Sequence, residues 1–521
     1  MTLVDLLMAA EAAEVGTAVR RTVYRHVHLS DRPLVVVAYN LSGEAAAPLG
    51  IMYGTEPGPE AASLVVSAEP RNRESRFAAI NAFASDLVEF VRPFLVLGTE
   101  AVPRRPGAFR QVASSAPQVI VPNRATRAYL GARLGRSLRY LGRGDTHEVP
   151  EATQWAGAHL SWLAEHANLP GQSTFLAMTE TLSQHYVTGQ SALEDENLAT
   201  VLAWIDGLPR DALPELERLE QQAFGPVPNP EFERRLQPFV KAYTDGLRAG
   251  DDGSVRLAYE AVEAAVRDAL SVAYTATHRA IGALRAISPA ATVVKRWNTD
   301  VYEWTAHARR SASGIPRFAR RHDPLRAAAT LQRWSSAAEE LEIDQAFDDP
   351  LIMAKLDAAG RCVTGEVTSI DFANKEVKPG NKNRTSVPLI EMSLTAPTRL
   401  LSGEVVRWVA DRRVTGEVRG VERDALTVAV TAGTKALAEA GLGAGVEAMF
   451  VGLDPWGGQN PWAPDAVPWT HRPTTSELAG DDSVDTSAAA GDGSPDMSVA
   501  ELASIPILEA ISPADEPGVV L

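Results

Sequence analysis

The hydrophobic period of this chain changes twice, and those changes constrain its architecture more than any other feature. Up to about residue 148, short apolar runs alternate with helical patterns; from about Pro150 to Gly360 the pattern is almost wholly helical. From Arg361 to Leu453 apolar and polar residues alternate with the period of two that half-buried strands require. A chain of 521 residues, 45% hydrophobic, has material for several cores. The expected fold is therefore multidomain α+β: an α/β N-terminal domain (1–148), an all-helical middle domain (149–360) and a small C-terminal β-barrel-like domain (361–453). A Trp/Pro-rich arm (454–473) and a disordered acidic tail (474–521) are expected to follow.

In the first region, Thr17 to Val27, Pro33 to Tyr39, Leu49 to Tyr53, Ser63 to Ser67 and Gln118 to Val121 read as strands, with an amphipathic helix from about Glu74 to Val91. The helical region breaks at Leu169-Pro170-Gly171, Gly207-Leu208-Pro209, Gly225-Pro226 and Ser288-Pro289, and its helices show no fixed repeat. The third region does repeat. Val363-Thr364-Gly365-Glu366-Val367 recurs 51 residues later as Val414-Thr415-Gly416-Glu417-Val418. Two related hairpins, joined by Ser386 to Leu394 and Gly403 to Val409, are expected to close a small barrel.

Charge is segregated along the chain. The formal net charge is −16, yet nine arginines from Arg104 to Arg143 have no acidic residue among them. Arg124, Arg127, Arg133, Arg136, Arg139 and Arg143 recur at helical spacing between Leu130, Leu134, Leu138 and Leu141, predicting a basic amphipathic helix capped by Asn123. Guanidinium forks suit phosphate or carboxylate. A second basic stretch, Arg279 to Arg333, holds Arg309, Arg310, Arg317, Arg320 and Arg321 near Trp297, Tyr302, Trp304 and Phe318, the mixture that single-stranded nucleic acid engages; at helical spacing Trp297, Tyr302 and Trp304 read more simply as core residues of an amphipathic helix. A third set, Lys375, Lys378, Lys382 and Arg384, crowds the loop of the first β-repeat. After Arg472 there are ten Asp or Glu and no Lys or Arg, which leaves the rest of the chain near −6. Trp456, Trp462 and Trp469 in the proline-rich arm are candidate partner-binding anchors.

Catalytic motifs are incomplete. No phosphate-binding Gly-x-x-x-x-Gly-Lys-Ser/Thr loop, Gly-x-Ser-x-Gly elbow or His-Glu-x-x-His is present, and no cofactor is expected. Cys362 is the only cysteine, which excludes intrachain disulfides and multi-cysteine metal sites. His26 and His28 alternate on an expected strand, and His159 and Glu165-His166 lie on an expected helix; each is a weak metal pair. The best enzyme candidate is a carboxylate cluster, Glu44, Glu69 and Glu74 with Arg71 and Arg73, arranged for a Mg²⁺-dependent nuclease. Asp5, Glu11 and Glu14 argue against a secretory signal, and no segment approaches a membrane span of roughly 18 apolar residues. A cytoplasmic protein without membrane attachment is expected; oligomeric state is not legible.

Arg361 to Val377 and Gly403 to Val430, with their Gly-Glu-Val openings, resemble the small accessory barrel inserted in some superfamily 1 nucleic-acid helicases. No motor motif accompanies them, so the resemblance implies at most a strand-guiding role. The expected function is a non-catalytic nucleic-acid-binding or nucleoprotein accessory subunit, with DNA or RNA as partner. The alternatives are a protein–protein scaffold and the metal-dependent nuclease.

Overall fold

The computed structural model describes residues 3–41, 47–101, 107–139, 141, 149–209, 213–318, 324–377 and 384–453. Helix α1 (Leu3–Val15) leads into a two-residue strand, β1 (Val19–Arg20). β2 (Leu34–Asn40), β3 (Pro48–Gly54) and β4 (Ser63–Val66) form an antiparallel meander. Six of the seven residues in β2 and in β3 are buried, so both faces of these strands need cover. α2 (Arg73–Val91), with Asn72 accepting from Ser75 N–H at its N-cap, covers one face with Ile80, Phe83, Leu87 and Val91.

After the hairpin of β5 (Leu97–Ala101) and β6 (Phe109–Ala113), β7 (Val119–Val121) returns parallel to β2. α3 (Arg124–Ala128) runs through a π-helical stretch, Tyr129–Gly135, into α4 (Arg136–Leu138), and α5 (Glu151–His166) packs beside them. β8 (Phe175–Ala177), parallel to β7, completes a five-stranded sheet of order β4-β3-β2-β7-β8. α6 (Met178–Ser183), β9 (Tyr186–Val187, paired with β1), α7 (Leu198–Asp206) and α8 (Leu213–Glu220) follow.

The second face of the sheet is covered by α9 (Pro230–Ala249) and the 34-residue α10 (Asp252–Arg285). Val262, Val266, Leu270 and Tyr274 of α10 share a core with Val35, Val37, Leu49 and Met52. α11 (Val293–Ser311) adds Trp297, Val301 and Trp304 to the core on the α2 side. Elements on either side of residue 148 thus share one sheet and its two cores. The expected strand at Thr17 to Val27 reduces to β1 and a single bridge between Arg25 and Pro289. Its backbone donors go partly to distant carbonyls, Arg21 N–H to His185 O and Arg25 N–H to Ser288 O, and partly to distant side chains: Asp349 Oδ2 accepts from Val23 and Tyr24 N–H and His185 Nε2 from His26 N–H, and just beyond it Ser173 Oγ accepts from His28 N–H.

α12 (Pro324–Asp348) and α13 (Pro350–Ala358) lead into the barrel. Its strands are β10 (Cys362–Asp371), β13 (Leu389–Leu394), β14 (Val405–Trp408), β15 (Thr415–Val421), β16 (Ala425–Ala432) and β17 (Glu447–Val451). Between β10 and β13 lies a separate hairpin, β11 (Lys375–Val377) with β12 (Arg384–Ser386), and between β16 and β17 a short helix, α14 (Thr434–Glu439). The barrel closes in the order β10-β13-β16-β15-β14-β17. The molecule is therefore a mixed α+β protein with a closed six-stranded barrel.

The barrel has two equivalent halves, β10-β13-β14 and β15-β16-β17, each lending its last strand to the first strand of the other. The correspondence extends to single bonds. Gly445 N–H donates to Val367 O (2.8 Å) and Val367 N–H to Val446 O (2.9 Å); in the other half Gly403 N–H donates to Val418 O (2.7 Å) and Val418 N–H to Glu404 O (2.9 Å). A bulge falls between Val367 and Ser369 and again between Val418 and Gly420, at the 51-residue offset of the repeated pentamer. Ion pairs fasten the barrel to the body: Arg361 to Glu342 (2.5 Å), and Arg412 to the buried Asp344 (2.9 Å), which also faces Arg296 of α11 (3.5 Å).

Candidate nucleic-acid interface

The arginine helix forms, and its hydrophobic face is as expected: Leu130, Leu134, Leu138 and Leu141 are buried, and Asn123 accepts from Thr126 N–H. Two glycines inside it let it press on α5. A Cβ on Gly131 would stand 2.3 Å from the Ala164 Cβ, and one on Gly135 2.7 Å from the Leu160 Cβ. Three of its five described arginines also pair within the fold. Arg124 pairs with Glu196 (2.6 Å), which holds its guanidinium above the ordinary value, Arg127 with Glu180 (2.7 Å), and Arg139 with Glu165 (3.4 Å) while lying over the Phe318 ring. Arg133 and Arg136 are exposed; Arg143 lies outside the described residues.

The second basic stretch separates into core and surface. Trp304 is fully buried and donates to Phe94 O (2.7 Å), and Trp297 stacks on His28 at 4.0 Å, so neither offers a face to a nucleobase. Arg309 donates to the Gln111 carbonyl and Arg310 Nε to Ala306 O (3.4 Å), while Arg317 is exposed. Arg320 and Arg321 lie outside the described residues.

In the β11–β12 hairpin, alternation sorts the charges. Lys375 stands opposite Ser386 and Val377 opposite Arg384, all four exposed on one face. Glu376, opposite Thr385 on the inner face, is turned to Arg419 (3.0 Å). Asn374 ties down the hairpin base through Val387, its amide donating at 2.8 Å, and Phe372 just before it is 46% exposed. Neither Lys375 nor Arg384 has an ion-pair partner among the described residues. Lys378 and Lys382 fall outside them, as do Trp456, Trp462 and Trp469.

Among the described residues the sheet offers no open site where such sheets usually bind. In open α/β sheets the ligand crevice lies beyond the carboxyl ends of the strands where the winding reverses, here between β2 and β7. The segment Ala223 to Pro226 fills it. Tyr39 Oη donates to Ala223 O (2.7 Å), Asn123 Nδ2 to Gly225 O (3.0 Å) and Asn40 N–H to Pro226 O (2.8 Å). Gly225 has φ +83°, and a Cβ there would meet Ala38 O at 2.3 Å, so the segment is seated tightly on β2.

The carboxylates of the nuclease alternative do not assemble around a metal among the described residues. Glu69 O accepts from Asn72 N–H and Glu74 lies exposed in the first turn of α2, so this stretch caps a helix. Glu44 lies outside the described residues. No group of three or more His, Cys, Asp or Glu among the described residues stands close enough to hold a metal ion.

A buried polar network in the body was not anticipated from sequence. Asp349 joins the 23–26 segment to α13, accepting from Leu351 N–H at the cap and facing His26 Nε2 at 3.3 Å. Asp300 takes His166 (2.7 Å) and Ser173 N–H (2.8 Å). His185 Nδ1 lies 2.7 Å from Thr181 O, while Nε2 accepts from His26 N–H; the ring is therefore a neutral Nδ1–H tautomer, and burial lowers its pKa to about 4. His159 and His307 share a 3.0 Å contact among Trp155, Trp162 and Trp304; burial takes His159 down to about 3 and His307 well below its ordinary value. Only the Asp349-Pro350 cap had a sequence signal, an N-cap acid before proline. These groups hold the body together, and apart from Thr181 O and Leu351 N–H their hydrogen-bond partners lie far away in sequence.

No protein-family model, curated protein or solved structure matches the chain.

Proposed function

We propose that this protein is a non-catalytic nucleic-acid-binding accessory protein, and that the outward face of the β11–β12 hairpin is its principal contact. One observation carries this. Between the equivalent positions Ile370 and Ile390 in one half and Val421 and Leu426 in the other, the first half spends nineteen residues and the second four, the latter closed by Glu422 N–H to Ala425 O (2.9 Å). Closing the barrel needs only the short turn, so the hairpin is an addition whose exposed face carries cations and no acid. Lysine and arginine beside an exposed aromatic suit phosphates and unstacked bases. The arginine helix adds less, since Arg124, Arg127 and Arg139 are matched by carboxylates.

The test is binding of fluorescent single- and double-stranded DNA and RNA across a salt series. Replacing Lys375 and Arg384 by Gln is expected to weaken binding and to flatten the logarithmic salt slope by about 0.7 per cation removed on single strands. Absence of binding at low salt, or full affinity in the double variant, contradicts the proposal. A protein–protein scaffold remains the second reading because Leu3, Leu6 and Leu7 of α1, at helical spacing, are 73%, 50% and 62% exposed. A protein partner retained at high salt and lost on Leu3→Asp with Leu7→Asp would favour it.

A further inference from the structure

We infer that the acidic C-terminal segment of this same chain is a ligand of the hairpin face and competes there with nucleic acid. The inference rests on the nucleic-acid reading of that face and adds its regulation.

Charge is the first support. The 49 residues after Arg472 contain ten Asp or Glu and no Lys or Arg, while the hairpin presents Lys375 and Arg384 with no acidic neighbour on their face. Several cations elsewhere are answered already: Arg124, Arg127, Arg413 and Arg419 each have a carboxylate within 3.0 Å. An acidic segment can therefore pair on the hairpin face without displacing a carboxylate.

Connectivity is the second. The chain leaves the barrel after β17, whose Val451 pairs with Cys362 at the start of β10; the hairpin begins beyond Asp371, at the other end of that ten-residue strand. The distance to cover is about 33 Å at the usual strand rise. Twenty-three residues separate Leu453 from Glu477, the first acid of the cation-free stretch, and a chain of that length can span up to about 80 Å. Every one of the ten carboxylates can therefore reach the hairpin. Tethering also sets a local concentration of order millimolar, enough for weak ion pairs to compete with non-specific nucleic-acid binding of about 10⁻⁴–10⁻⁶ M.

The test keeps the full chain and replaces the ten acidic residues after Arg472 by their amides. That variant is expected to bind a fluorescent thymidine oligonucleotide about tenfold more tightly at low salt. The gain is expected to vanish at high salt and in a background carrying Lys375→Gln and Arg384→Gln. Carbodiimide treatment of the unsubstituted, ligand-free protein is expected to join Lys375 to one of those carboxylates, and added oligonucleotide to suppress the cross-link. If the amide variant binds no more tightly while the hairpin substitutions weaken the natural chain, the competition is refuted and the hairpin reading stands. If hairpin substitutions change nothing in either background, both are refuted.

Discussion

The two halves of the barrel form the same wall from related sequence but differ in one connection, and that difference separates what the fold requires from what it carries. Glycine, bulge and hydrogen-bond positions correspond across the pseudo-two-fold relation, whereas Asp371 to Leu389 has its counterpart in a four-residue turn. Shared features maintain the barrel. The unshared hairpin bears the exposed cations.

The two halves are also anchored differently, and the largest expected effect breaks that difference. Asp344 is 1% exposed and faces Arg412 and Arg296, so Asp344→Ala takes the carboxylate from a largely buried guanidinium that keeps only Thr292 Oγ1 and the His26 carbonyl among the described residues, and is expected to cost about 3 kcal/mol. Glu342, which holds Arg361 of the first half, is about one-third exposed, and Glu342→Ala is expected to cost no more than about 1 kcal/mol. Chemical denaturation of both variants checks this; equal losses would show that the barrel is anchored symmetrically.

Acid should then separate body from barrel. Burial depresses the folded values of His159, to about 3, and His185, to about 4, and residues 361–453 contain no histidine. Between those values and about 6.5 the unfolded chain binds more protons than the folded one, so stability is complete above about pH 6.5 and falls as pH drops. The loss approaches about 1.4 kcal/mol per pH unit for each histidine. Hydrogen exchange corrected for intrinsic rates is expected to show α5 and β9 losing protection between pH 6.5 and 4.5 before the barrel strands do.

Within the barrel, the repeated glycines offer a finer test. A Cβ on Gly365 would meet Ser393 O at 2.3 Å with further backbone behind it, whereas on Gly416 the nearest atom is the Val428 Cγ1 at 2.4 Å and the nearest backbone atom, Ala429 O, stands off at 3.1 Å. Gly365→Ala is expected to cost about 2–3 kcal/mol and Gly416→Ala about 1 kcal/mol, measured by denaturant titration. The reverse order would mean that the halves yield in another way.

Where these features were legible in the sequence follows from the range of the forces involved. The barrel was readable because alternation of period two and the repeated Val-Thr-Gly-Glu-Val are local, and the arginine helix because Asn123 and its leucines lie within one element. β8 was not: three residues inside a helical pattern carry no period of their own. The failed strand at Thr17 to Val27 had suitable alternation, but its backbone donors are met by Asp349, more than 320 positions away, by His185 and by the Ser288 carbonyl. The acid-free run from Arg104 to Arg143 likewise described only its own neighbourhood, since Glu196 reaches Arg124 across 72 positions and Glu165 reaches Arg139 across 26. Charge segregated in sequence was partly neutralised in space, at Arg124, Arg127 and Arg139, whereas Arg133 and the hairpin's Lys375 and Arg384 stay exposed.

The most direct measurement replaces Asp371 to Leu389 with the four-residue turn of the sister half, Glu422 to Ala425, and follows both folding and nucleic-acid binding across a salt series. The account predicts a barrel that still closes, with its denaturation midpoint little changed, and a protein that no longer binds. A grafted protein that folds and binds DNA or RNA with undiminished affinity and salt slope would contradict it.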